Sequence, residues 1–185
     1  MNPHVRRAYL EFDVHASALV RKARETVHVP CKAGCDACCY DVAWVLPPEG
    51  EEIAERVRSM PARKRQGVVD RIRAWHEGMR AAGLDPDDIR PDLRAYHRAR
   101  LACPLLDVET HRCMVYDVRP MACRGHYVVA EDASVCGNRA EEPRLQVLEM
   151  PDLFTQTLLT LAGDNLRAVQ SWSNQLLPRL LSKLL

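Results

Sequence analysis

Apolar side chains recur every three or four residues through the first part of the chain, from about Val5 to Val27. This spacing puts them on one face of an α-helix and leaves the charged residues on the other face. The apolar positions are Val5, Tyr9, Phe12, Ala16, Leu19, Ala23 and Val27. Because a residue that precedes proline is displaced from helical geometry, Pro30 predicts that the helix ends before it.

The same periodicity predicts three more helices before residue 102. One begins with Pro47 in its first turn and is closed by Pro61, and its apolar face is formed by Ile53, Val57 and Met60. The next carries Val68, Val69, Ile72, Trp75 and Met79 on one face and ends near Gly83, and a shorter one follows Pro91 and reaches Leu101. Residues 40–46 predict a short strand or extended segment between the first two helices.

From Cys103 onward the apolar runs are shorter than those of the predicted helices. Two apolar runs, Cys103–Asp107 and Cys113–Asp117, flank a polar turn and predict a hairpin, and residues 126–130 predict another strand. Helical periodicity returns in a leucine-rich segment, residues 143–185. We therefore expect one mainly α-helical domain over residues 1–185, with a small irregular or β-hairpin subdomain that binds metal.

The eight cysteines fall into two groups. Four lie within nine residues, and the other four follow far along the chain but close to one another. They are Cys31, Cys35, Cys38 and Cys39, then Cys103, Cys113, Cys123 and Cys136. Thiolates are soft ligands for zinc and iron, and a Cys-x-x-Cys step lets one turn aim two sulfurs at one ion. The pattern predicts that all eight are metal ligands, in two four-thiolate sites or one polynuclear cluster.

Disulfides are a weaker interpretation of these cysteines. A chain of 185 residues can bury a core without covalent crosslinks. No signal peptide and no apolar run of about 20 residues is evident, so we expect a reducing cytoplasm and no membrane span. In that compartment a cysteine cluster binds metal or is catalytic. The formal net charge of +1 gives no overall attraction for nucleic acid.

Several motifs in a fixed order resemble a known family. They are Cys31-x3-Cys35-x2-Cys38-Cys39, Cys103-Pro-Leu-Leu, Cys113-x2-Tyr116-x2-Arg119-Pro120 and Cys123-Arg124. Together they resemble the YkgJ-type cysteine-cluster family (CxxCxxCC family) of zinc- or iron-chelating proteins, over roughly Pro30 to Cys136. The resemblance implies a chelating centre, a bacterial cytosolic origin and a distant relationship to flagellin lysine N-methylase.

Basic residues near the cysteines are candidates for a second shell around the metal. A buried set of thiolates carries net negative charge and needs cations or hydrogen-bond donors close by. Arg119 and Arg124 belong to the family-like motif and are the best candidates, and Tyr116 could stack beside the centre. Lys32 and Arg112 are explained equally well as solvated surface charges. With eight thiols available, histidine ligands are unnecessary.

Three functions follow from these observations. We favour a protein that chelates Zn²⁺ or iron, with zinc preferred because closed four-thiolate sites need no assembly machinery. The first alternative is an iron–sulfur enzyme for redox chemistry or methyl transfer. Cys31-x3-Cys35-x2-Cys38 has the spacing of radical S-adenosylmethionine enzymes, but the chain lacks their strand–helix alternation. The second alternative, a nucleic-acid-binding module, rests on basic residues around Arg63-Lys64-Arg65 that acidic residues dilute.

The C-terminal leucines allow two interpretations. They could pair two chains as a homodimer through the C-terminal helices, or they could pack on the N-terminal helix. The residues concerned are Leu153, Leu158, Leu161, Leu166, Val169, Trp172, Leu176 and Leu180.

Overall fold

The structure, a computed structural model, describes residues 2–32, 34–136, 146–163 and 175–185. The α-helices of these residues are α1 (Pro3–Ala23), α2 (Pro47–Arg58), α3 (Ala62–Ala81), α4 (Leu93–Ala99), α5 (Met121–Arg124), α6 (Pro151–Ala162) and α7 (Leu177–Leu184). The strands are β1 (Trp44–Val45), β2 (Leu106–Asp107), β3 (Arg112–Cys113) and β4 (Gln175–Leu176). The mainly α-helical fold expected from the sequence is confirmed. Among the described residues, no helix is long and apolar enough to cross a membrane.

Helix α1 begins at a cap provided by Asn2, whose side chain accepts a hydrogen bond from the backbone N–H of His4. Its buried face follows the predicted stripe through Val5, Tyr9, Phe12 and Ala16. The stripe then continues to Val20, whereas the predicted Leu19 is 42% exposed. A period of 3.6 residues explains this shift, because a buried face drifts relative to fixed steps of three. Helix α6 packs along α1 and covers this face.

A second core lies between α2, α3 and α7. Ile53 and Val57 of α2 meet Val68 and Ile72 of α3, and α7 contributes Leu177, Leu180 and Leu181. Gly50 lets α7 approach closely, because a Cβ at this position would collide with the side chain of Leu180. The helices predicted before residue 102 are therefore confirmed, and the C-terminal helix completes their core.

The strands form two antiparallel pairs. In the hairpin, Leu106 pairs with Cys113 and Asp107 with Arg112, as the sequence predicts. The strand predicted over residues 40–46 is limited to β1, which pairs with β4 through Trp44 with Leu176 and Val45 with Gln175. Residues 126–130 contribute only an isolated bridge, from Val128 to Val147. The helical prediction was wrong at β4, because pairing with β1 overrides the local leucine periodicity.

The C-terminal leucines that the structure describes are mostly covered by the chain itself. Leu153 and Leu161 pack with the α1 core, and Leu180 packs in the core of α2 and α3. Leu176 is buried beside Trp75 and Tyr96. Leu166, Val169 and Trp172 lie outside the described residues. The homodimer stays a prediction. The leucines that are buried within the chain are not available to form its interface.

A buried carboxylate joins three helices. Glu49 of α2 is 1% exposed, and its Oε2 accepts a hydrogen bond from the backbone N–H of Leu46 at 3.0 Å. Its Oε1 accepts the backbone N–H of Met121 at 2.7 Å and the hydroxyl of Tyr9 at 3.2 Å. Met121 begins α5, which carries Cys123. Glu49 thus fixes α5 against α1 and α2.

Replacing Glu49 by alanine is expected to lower the free energy of unfolding by about 3 kcal/mol, because three donors lose their acceptor in a buried position. Urea unfolding measures this change. Glu51→Ala is the matched control, since Glu51 lies on the exposed side of the same helix. A Glu49→Ala variant as stable as this control would contradict the assignment.

The buried Glu49 should also affect how the stability of the protein depends on pH. Burial raises the pKa of this carboxyl group above its usual value. The native state therefore binds the proton more tightly than the unfolded chain does. The resulting stabilisation is full below the unfolded pKa of about 4.3 and is lost as the pH rises through the folded pKa. Stability of the parent relative to Glu49→Gln should rise as the pH falls from about 7 to about 5, and a fall would contradict this sign.

Candidate metal centre

The first cysteine segment is held against the end of α1. Arg24, just after the helix, donates to the backbone carbonyl of Cys31 at 2.9 Å. The thiol of Cys31 accepts the backbone N–H of Val128 at 3.3 Å. The loop then turns at Gly34, whose positive φ of 83° suits glycine. A 3-10 turn, Ala37–Tyr40, carries Cys38 and Cys39.

The second cysteine segment lies directly against this turn. The backbone N–H of Cys103 donates to the carbonyl of Cys39 at 2.7 Å. Strand β3 carries Cys113 and helix α5 carries Cys123. A further 3-10 turn, Ala133–Cys136, contacts the turn Ala37–Tyr40. The fold thus brings together two segments that are more than sixty residues apart in the sequence.

Four thiols of this region are hard to ionise. Burial raises the pKa of Cys103 to about 12 and that of Cys123 well above its usual value, and Cys38 and Cys113 add to both shifts. Burial also raises the pKa of Cys113. The pKa of Cys39 is raised because its thiol is hydrogen-bonded to Cys38, and burial and the nearby thiols add to this. These thiols stay protonated unless a cation compensates their charge.

Cys38 differs from its neighbours. Its hydrogen bond with Cys39, together with the Arg119 guanidinium, outweighs burial and lowers its pKa to about 7. Cys38 also lies near the first thiols of the chain: burial raises the pKa of Cys31, and Cys35 and Cys38 add to that shift. Cys38 is therefore within electrostatic reach of Cys31 in the first segment and of Cys103, Cys113 and Cys123 in the second.

All eight cysteines lie within the described residues, and none forms a disulfide. The thiols adjoin one another without closing into a coordination sphere. Across the described parts of the chain, no three Cys, His, Asp or Glu side chains are spaced to hold one metal ion. The donor set nevertheless suits a soft metal, since sulfur atoms alone supply it.

Arg119 is the basic side chain placed among these thiols. Its guanidinium favours the charged forms of Cys38, Cys113 and Cys123, although burial opposes them. It stacks over the ring of Tyr116, 4.1 Å from the centroid, and this fixes its direction. Its buried Nε has no hydrogen-bond partner within the described part of the chain. A donor in this state suits a site where thiolate sulfur accepts hydrogen bonds.

Arg124 contacts α1 and the main chain that precedes Cys123. It is buried, and its guanidinium pairs with Asp13 of α1 at 2.5 Å. It also donates to the carbonyl oxygens of Arg119 at 2.7 Å and Asp117 at 2.5 Å, and lies over the ring of Tyr9. These contacts hold the chain before Cys123 against α1. Arg124 thus holds the backbone next to Cys123 in place.

Sequence reasoning missed Arg24 and Arg71, which support the thiols from distant helices. Arg71 of α3 donates to the carbonyl of Pro104 at 2.7 Å, and its charge partly opposes the raised pKa of Cys103. Both arginines contact main-chain oxygens, and such contacts leave no motif in a sequence. The two candidates that the sequence left open, Lys32 and Arg112, are exposed.

A side-chain hydrogen bond joins the two cysteine segments at the surface. Asp36, between Cys35 and Cys38, contacts Nδ1 of His111 at 2.8 Å. His111 lies in the hairpin turn with a positive φ of 55°. The carboxylate of Asp36 thus reaches across from the first cysteine segment to the hairpin.

A family model described as "putative zinc- or iron-chelating domain" (CxxCxxCC) matches residues 30–142, more than half of the chain. The chain belongs to the CxxCxxCC family. The matched range contains all eight cysteines, so the resemblance drawn from their spacing is confirmed. No solved structure matches the chain significantly. Membership of the CxxCxxCC family supports metal chelation and leaves open which metal is bound.

Proposed function

We propose that this chain binds Zn²⁺ or iron through the thiolates of its cysteines. The ligands are Cys31, Cys35, Cys38, Cys39, Cys103, Cys113, Cys123 and Cys136. The observation that carries the proposal is that the fold brings cysteines of two distant segments together: the backbone N–H of Cys103 donates to the carbonyl of Cys39. The charge of Cys38 accordingly raises the pKa of Cys103, Cys113 and Cys123. A cation among them would offset the repulsion that each ionised thiol meets from its neighbours.

Backbone donors support the same proposal. Val128 donates to the sulfur of Cys31, and the N–H groups of Leu105 and Val115 favour the charged forms of Cys103 and Cys113. Together with Arg119 they would offset part of the charge that a thiolate-bound metal leaves buried. Ligand thiols must lose their protons, so metal binding would release protons and strengthen as the pH rises.

The thiols are best explained as one continuous centre. Cys38 links the two segments electrostatically, since its charge raises the pKa of Cys31 in the first segment and of Cys103, Cys113 and Cys123 in the second. Two separate four-thiolate sites would require the eight thiols to divide into two sets that have little influence on each other. We infer one polynuclear centre, whose metal ions the thiolates of the eight cysteines would hold together.

We propose zinc as the metal. Thiolates without histidine accept either Zn²⁺ or an iron–sulfur cluster, but closed zinc sites form without dedicated assembly proteins. Such a role suits a reducing compartment such as the cytoplasm. No described contact indicates a substrate, so the proposal is restricted to metal binding.

Anaerobic purification, elemental analysis and a visible absorption spectrum test the metal. We expect zinc, at two ions per chain if the centre is polynuclear, and no absorption in the visible range. Stoichiometric iron with acid-labile sulfide and charge-transfer absorption would replace zinc by an iron–sulfur cluster. Protein that takes up neither metal would overturn the proposed function.

A further inference from the structure

A groove of about 340 Å³ lies between the α2–α3 turn and the β2–β3 hairpin. Its volume is at the lower end of the range for small-molecule sites, about 300 to 1,000 Å³. Met60 and Met114 form apolar walls, and Cys113 lies at one side. The groove therefore adjoins the candidate metal centre and shares Cys113 with it.

Three cationic side chains line this groove: Arg56 from α2, Lys64 from α3 and Arg112 from β3. Asp107 is its one acidic lining residue among those described. The carboxylate of Asp107 accepts the backbone N–H groups of Glu109 at 3.1 Å and Thr110 at 3.3 Å, and so is engaged in its own turn. Arg56 contacts Asp117 at 3.5 Å, with both side chains about half exposed. The lining carries net positive charge.

The first turn of α3 adds to this positive character. Pro61 and Lys64 line the groove, and no side chain caps the helix at Pro61. The backbone N–H groups at the start of a 20-residue helix bear partial positive charge and favour oxyanions. The helix end and the three cations thus act in the same direction.

These cations are distinct from the one that acts most directly on the thiols. Arg119 is the cation that favours the charged form of Cys113. Arg56, Lys64 and Arg112 line the groove; Arg56 is also paired with Asp117 and Lys64 lies within electrostatic reach of Asp107, so Arg112 and Lys64 are the main cations for a ligand there. Arginine side chains and a helix N-terminus match the tetrahedral oxygens of a phosphate group especially well.

We propose that this groove binds a small molecule through a phosphate group. The phosphate lies between Lys64, Arg112 and the first turn of α3, and the organic part contacts Met60 and Met114. The ligand reaches the surface beside Cys113, next to the metal centre. Phosphate binding here needs no metal, so it can succeed or fail independently of metal chelation.

The test is an NMR titration of the full-length, metal-loaded chain with inorganic phosphate, with ionic strength held constant by sodium chloride. We expect saturable shifts at the backbone amides of Lys64, Thr110 and Met114. Lys64→Ala and Arg112→Ala should each weaken binding about tenfold, the effect of losing about 1.4 kcal/mol of interaction. Elemental analysis of each variant should show unchanged metal content.

Arg63→Ala is the matched control, because Arg63 is exposed in the same helical turn and does not line the groove. It should bind phosphate as the parent does. Equal weakening by Arg63→Ala and Lys64→Ala, or shifts that do not saturate, would overturn the site. Equally strong binding of malonate would overturn the assignment to phosphate.

Discussion

Replacing Cys123 by serine is expected to lower metal affinity about 100-fold or more. Changes behind the ligands of metal sites already cost about 10- to 100-fold, and a serine hydroxyl is a poor ligand for a soft metal. Cys123 lies on α5, within the electrostatic reach of Cys38, Cys103 and Cys113. If metal is present at about 1,000 times its dissociation constant, its loss removes about 4 kcal/mol of stabilisation.

Elemental analysis after gel filtration and thermal unfolding measure the two parts of this expectation. The control is Ala122→Ser, which adds the same hydroxyl one residue earlier on α5. Cys35→Ser tests the first cysteine segment in the same way. Full metal content and unchanged melting temperatures in both cysteine variants would show that these thiols are not ligands.

The Arg124→Ala substitution is expected to destabilise the chain by about 3 kcal/mol. Breaking a buried ion pair costs about 3 to 5 kcal/mol, and the 48% exposure of the Asp13 side chain places the effect at the lower end. Two backbone carbonyls, of Asp117 and Arg119, lose their donors as well. Arg124→Lys restores the charge but cannot reach all three acceptors, so most of the loss should remain.

Unfolding with and without a metal chelator separates two roles of Arg124. A positioning role in the fold predicts the same loss of stability in both conditions. A direct role beside the thiols, as the sequence suggested, predicts a loss confined to the metal-loaded protein. Arg6→Ala, an exposed arginine of α1, is the control and should change stability by less than about 0.5 kcal/mol.

The helices that the sequence could predict are those in which buried apolar residues recur at helical spacing. α1, α2 and α3 each place one face in a core, and that face is visible as apolar residues at helical spacing. β4 could not be found in this way, because its two residues become a strand only by pairing with β1. Long-range pairing of so short a segment leaves no local pattern.

The candidate site likewise contains residues that the sequence identifies and residues that only the folded structure reveals. The cysteines and Arg119 stand in motifs, and the spacing of these motifs identified them. Arg24 and Arg71 act through main-chain carbonyls, while Glu49 collects donors from three helices. No spacing encodes these contacts, because their partners are fixed only by the folded backbone.

The pairing of β1 with β4 has a consequence for biosynthesis. Val45 meets Gln175 roughly 130 residues later, and α7, which follows β4 directly, covers α2 and α3. All eight cysteines precede this segment, so a growing chain presents its thiols before the core beside them is closed. Contacts of such high sequence separation form slowly. Translation products that stop before β4 would retain every cysteine. They would also expose the edge of β1 and the apolar faces of α2 and α3, so we expect them to aggregate.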